Sequence, residues 1–192
     1  KTSVFARRLI FSIAALTLLW LGWAMFRPAP SLPLVQSPVD GAQQLAGYRI
    51  IPLQPFSLTA RVLAREDYHF DAGARLSPTD LALGWNAMAD PQVVAAIRIT
   101  QSNRWYHWQV EQFPIPRREI EINSANMHMI PANPAVAETL ADVREGERIA
   151  LSVQLVRVEG DDGFRWVSSL SREDTGAGAC ELVWVEQLSR LD

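Results

Sequence analysis

Arg148–Glu159 reads RIALSVQLVRVE, and the parity of its apolar residues decides the fold. Ile149, Leu151, Val153 and Leu155 alternate with smaller or polar residues, the period of a strand that turns one face to a core. Val156 and Val158 then take the opposite parity with no turn residue between them. A continuous strand that changes parity in this way bulges or bends sharply, as small barrels do at their corners. Glu145-Gly146 turns the chain into this strand, and Asp161-Asp162-Gly163 makes the hairpin turn that sends Phe164 to Leu170 back along it.

Working outward, Cys180 to Val185 is apolar on both faces and reads as a central strand. Tyr48 to Phe70 is β-rich but interrupted by Pro52 and Pro55, which predicts two strands around a break. Arg104 to Val110 is an aromatic strand closed by Pro114 and Pro116, and Glu119 to Asn123 alternates as a further short strand. Three short helices are expected. Ser77-Pro78, Asp90-Pro91 and Asn133-Pro134 each place a capping side chain before a proline suited to the first helical turn. The sum is an α+β domain, mainly β, with short helices. The GERIALSVQLVRV run resembles the turn and long bent strand of OB-like small barrels, so a partly open barrel of that kind is the expected architecture.

Location is set at the other end of the chain. Leu9 to Phe26, LIFSIAALTLLWLGWAMF, carries no charge and as a helix would span roughly 27 Å, close to the hydrocarbon thickness of a bilayer. Lys1, Arg7 and Arg8 precede it, so the tail 1–8 is expected in the cytoplasm and everything after the span outside. Trp20 and Trp23 suit the outer headgroup interface. The run is longer than a signal-peptide core, and Trp23-Ala24-Met25-Phe26-Arg27 offers no small-x-small cleavage site, which favours an uncleaved signal anchor. Residues 27–46 hold Pro28, Pro30, Pro33 and Pro38 and predict a semi-extended stalk before a domain at 47–192.

Four of the 18 basic residues flank the span, leaving 14 against all 21 acidic residues, a net charge of −7 for the rest of the chain. That balance argues against a nucleic-acid partner. The single cysteine, Cys180, cannot form an intrachain disulfide.

Three stretches hold residues capable of chemistry. In Arg172-Glu173-Asp174-Thr175-Gly176-Ala177-Gly178-Ala179-Cys180, an Asp-Thr-Gly triplet matches the loops of aspartic proteases, which need two carboxylates sharing a proton. Only one copy is present, and no apolar strand precedes it. A glycine-rich connection, with Gly176 and Gly178 free to take positive φ, is the simpler reading. Met127-His128-Met129 offers thioether and imidazole ligands for a soft metal, with His69, His107 and Cys180 as further donors if the fold brings them near. Strand alternation, however, sets Met127 and Met129 on one face and His128 on the other. Cys180 lies beside Glu181, and a neighbouring carboxylate raises a thiol pKa, which disfavours a nucleophile. Among the aromatic residues, alternation also separates Trp105 from Trp108, so one of the two is expected in the core.

The anchor together with TDLALGW, SNRWYHW, SANMHMIPAN and SSLSREDTGAGACE resembles a group of bacterial single-pass envelope proteins with no established activity. The resemblance implies an inner-membrane protein held by Leu9, Trp20, Trp23 and Phe26, with a periplasmic domain. The function expected is a non-enzymatic accessory or scaffold subunit of an envelope assembly, with the bilayer and other envelope proteins as partners and no cofactor. A ligand- or metal-binding sensor is the alternative, and an envelope hydrolase the third.

Overall fold

The structure is a computed structural model and describes residues 35–36, 41–171 and 180–191. The expected span 9–26 lies outside them. Among the described residues no helix is long and apolar enough to cross a membrane.

The domain is mainly β, with a few short helices. Its strands are β1 (Val35–Gln36), β2 (Gln43–Leu45), β3 (Tyr48–Asp67), β4 (Thr79–Gly84), β5 (Arg98–Ser102), β6 (Trp105–Gln109), β7 (Ser124–Pro131), β8 (Arg148–Gly160), β9 (Arg165–Val167) and β10 (Glu181–Arg190). The helices are α1 (Pro91–Ala95), α2 (Arg117–Ile122) and α3 (Pro134–Asp142), with a 3-10 turn at Asn86–Ala89.

Five of the strands close on themselves. β3 pairs with β4, β4 with β7, β7 with β10, β10 with β8, and β8 returns to β3. Only β7 and β10 run parallel in this ring, and α3 lies in the connection from β7 to β8. Inside the expected stalk, β1 pairs with β2 and β2 with β3, so the sheet begins there. β5 and β6 form a separate hairpin.

Closure rests on two long, bent strands. β3 runs for 20 residues without the predicted break. Its first part pairs with β8 as far as Arg61↔Arg148, and from Arg61↔Gly84 onward it pairs with β4. Between Ile51 and Ala60 only β8 is paired with it, so Pro52 and Pro55 interrupt no second ladder. The parity change in β8 is also explained here. Pro52 faces Val156 and Gln54 faces Leu155, so the register shift falls opposite the switch, and the extra residue sits on β3. Ile149, Leu151, Val153 and Leu155 line the barrel core with Leu81, Leu83, Met127, Met129, Val183 and Val185. Val156 and Val158 instead join Ile50, Ile130, Leu182 and Trp184 in a second cluster.

Two local expectations are corrected. Thr79–Gly84, expected as a helix after Ser77-Pro78, is strand β4 with every residue buried. Both of its faces are covered, and pairing with β3 and β7 overrides the capping signal. Glu119 to Ile122, expected as a strand, belongs to helix α2, where Ile120 packs in a third cluster and Arg117 pairs with Glu121 one turn on. The other two capped helices form as expected. Asp90 accepts from Gln92 N at 2.8 Å and Asn133 from Val136 N at 3.1 Å.

Candidate functional site

The β5–β6 hairpin turns through Asn103 and Arg104, whose φ angles are +51° and +68°. A two-residue turn with both central residues at positive φ matches the twist of its strands, and its second place is usually glycine. Here an arginine occupies it. The turn thereby carries a long cationic side chain to the outer face of β4 and β7.

The guanidinium is almost fully used. Nη1 donates to Asp80 Oδ1 at 2.8 Å and to the Ser77 carbonyl at 2.9 Å, while Nε and Nη2 grip Asp71 at 3.1 and 2.9 Å. Its carbon stands 3.7 Å from the centre of the Tyr68 ring, and the Tyr68 hydroxyl accepts from Arg104 N at 2.9 Å. Burial pushes the Tyr68 hydroxyl pKa up. Burial also acts to raise the Asp71 carboxyl, but Arg104 and the Gly73 and Ala74 amides outweigh it and hold the group below its ordinary value.

Asp80 is the other centre of the knot, with 0% of its side chain exposed. Besides Arg104 it accepts from Asn126 Nδ2 at 3.3 Å; His128 Nδ1 lies 2.8 Å from its Oδ2 but not in line for a hydrogen bond. Asn126 also donates to the Arg104 carbonyl at 3.1 Å and accepts from Gln101 at 2.6 Å. The His128 ring rests on Trp166, centroids 4.7 Å apart. A buried carboxylate requires such partners to offset its desolvation.

This network ties together three separate parts of the chain: the 68–78 loop, the hairpin tip and the β9 region. Gly73 shows how closely they approach, since a Cβ there would lie 2.8 Å from Trp166 Cζ3. Around the knot, apolar side chains face solvent. Phe70 is 100% exposed, Trp105 42% and Leu170 55%.

The structure separates the residues considered for metal binding. Met127 and Met129 lie in the barrel core, whereas His128 is outside with Asp80. Cys180 is half-buried, and its thiol is 3.9 Å from the Arg104 carbonyl, within the same knot as His128. Among the described residues no group of three or more His, Cys, Asp or Glu is arranged to hold a metal ion. Arg172, Asp174, Gly176 and Gly178, like Leu9, Trp20, Trp23 and Phe26, lie outside the described residues. Trp108 packs against the third core cluster while Trp105 is exposed, which is the separation expected from alternation.

Asp80 and Arg104, the two residues on which the site is built, were not singled out from the sequence. Asp80 resembled part of a helix start. The signal for Arg104 was Asn103 followed by a non-glycine residue between two β-prone runs. Comparison with protein-family models, characterised proteins and solved structures gives no match to this chain.

Proposed function

We propose that the chain is a non-enzymatic accessory or scaffold subunit of a bacterial envelope assembly. In this reading Leu9–Phe26 anchors it in the inner membrane with the tail in the cytoplasm, and the barrel binds a protein partner in the periplasm. The anchor motif, the basic residues before it and the resemblance to single-pass envelope proteins support that location.

The barrel is best described as OB-like. Support comes from the closed order β3–β4–β7–β10–β8, the parallel β7–β10 pair and α3 between the third and fourth ring strands. Barrels of that type bind oligonucleotides or oligosaccharides over their second and third strands and the adjoining loops. One observation carries the functional reading. In this chain that face is occupied by its own β5–β6 hairpin, whose Arg104 is held by Asp80 and Asp71. The net charge of −7 beyond the anchor also disfavours nucleic acid. What remains outward around the knot is Phe70 on the 68–78 loop, Trp105 at the start of β6 and Leu170 beyond β9, side chains suited to anchoring a protein contact.

The test is crosslinking of the full-length protein in membranes, with wild type beside Phe70→Ser. The expected result is a stoichiometric partner with wild type that is lost in the variant at unchanged thermal stability. Recovery of the protein alone in both cases would overturn the accessory role.

A further inference from the structure

An open groove of about 590 Å³ lies at the base of the β5–β6 hairpin, lined in part by Arg98, Trp108, Glu111, Phe113 and Arg117. It is distinct from the Arg104 knot. β6 is five residues long, so the hairpin tip is about 16 Å away at the usual strand rise.

The groove combines two kinds of group. Trp108 and Phe113 meet edge to face at 6.2 Å, and Phe113 remains 52% exposed. The Arg117 guanidinium stands 5.7 Å from the Trp108 ring and uses Nε on Glu121 at 2.8 Å, so both of its terminal nitrogens remain able to donate. Arg98 is exposed, and its guanidinium has no ion pair among the described residues. By contrast, Arg49, Arg65, Arg104, Arg157 and Arg190 each hold a carboxylate of this chain.

An uncommitted guanidinium beside aromatic rings matches a carboxylate or phosphate attached to an apolar group. The groove's volume lies in the range of small-molecule sites, roughly 300–1,000 Å³. Glu111 in the lining repels a second negative charge, which limits the ligand to one anionic group.

We propose that this groove binds a small ligand with a single anionic group next to an aromatic or branched aliphatic group. Arg98 and Arg117 receive the anion, and Trp108 and Phe113 receive the apolar part. The site is independent of the protein-binding role assigned to the loop end.

Fluorine NMR line broadening with the full-length chain in detergent micelles tests it, using 4-fluorophenylacetate, 4-fluorophenylphosphonate and neutral 4-fluorobenzyl alcohol. At least one anionic probe is expected to bind, and which of the two binds more tightly distinguishes a carboxylate from a phosphate ligand. Arg98→Gln should weaken that binding about tenfold or more, with Arg98→Lys restoring part of it. Arg98 is exposed, so an unchanged urea midpoint will show that the variant folds. Equal binding of the neutral probe, or no change in Arg98→Gln, would overturn the proposal.

Discussion

Arg104→Ala and Arg104→Gly remove the same guanidinium but differ in the Cβ left at φ +68°, so the pair separates the ion network from the backbone strain. Asp80 is fully buried, and removing one member of a buried pair costs about 3–5 kcal/mol. Asn126 still donates to Asp80 after the change, which places the alanine variant near the lower figure, about 3 kcal/mol. Glycine relieves roughly 1–2 kcal/mol of left-handed strain and gives back about 0.5–1 kcal/mol through its greater freedom when unfolded. Arg104→Gly should therefore be more stable than Arg104→Ala by about 0.5–1 kcal/mol. Urea unfolding of the compact unit Leu32–Asp192, followed by tryptophan emission, measures both, with Trp166 only 5.6 Å from the guanidinium. At a slope of about 2 kcal/mol per molar, the alanine midpoint falls by about 1.5 M and glycine recovers about 0.3–0.5 M. An alanine variant within about 1 kcal/mol of wild type would refute the knot as a buried ion pair. A glycine variant less stable than alanine would refute the argument from positive φ.

Two further perturbations probe the frame around the site. Gly84→Ala sets a Cβ against the Met88 carbonyl oxygen and 2.9 Å from both methyls of Leu63, and because the carbonyl cannot swing aside, a loss of about 2–3 kcal/mol is expected in thermal melts. An unchanged melting temperature would show that the turn after β4 is looser than described. Asp71 has a folded pKa below its ordinary value, so its stabilising contribution is complete above the unfolded pKa of 3.8 and is lost as pH falls through the folded value. Asp71→Asn should lower stability at neutral pH and flatten the acid limb below about pH 4, as measured by urea midpoints across pH. An acid limb as steep as the wild type's would argue against that linkage.

Much of the barrel was legible because a half-buried strand shows its pattern locally. The switch of parity at Leu155-Val156 forecast a bend, and the doubly apolar Cys180 to Val185 forecast a central strand between two neighbours. The side of the ladder that carries the bulge was not legible, because the extra residue is on β3, about a hundred positions away. In both reversals the apolar period was uninformative, for a different reason in each. Thr79–Gly84 is buried on both faces, so it shows no alternation to set against the Ser77-Pro78 cap. Glu119 to Ile122 is too short to separate a period of two from one of 3.6, and the difference was decided by where Ile120 could be buried.

The site was harder to see because its residues come from separate strands and a hairpin tip, and only strand pairing and hairpin packing bring them together. Asp80 and His128 are partners in the β4–β7 register, and Leu182 stands beside His128 in the β7–β10 register. Arg104 reaches them only because the hairpin folds back across that face. What a local reading could register was the anomaly at its tip, where Asn103 is followed by arginine in place of the glycine that such turns favour. A strained residue that carries a long charge indicates that the side chain has work to do elsewhere, since nothing within the turn offsets its cost. The positive φ alone indicates only strain, and Asp80, with no exposed surface and three polar groups converging on it, identifies where that strain is compensated. Because Arg104 also grips Asp71, the same compensation fixes the loop that carries Phe70, linking a buried charge to the presentation of an exposed ring.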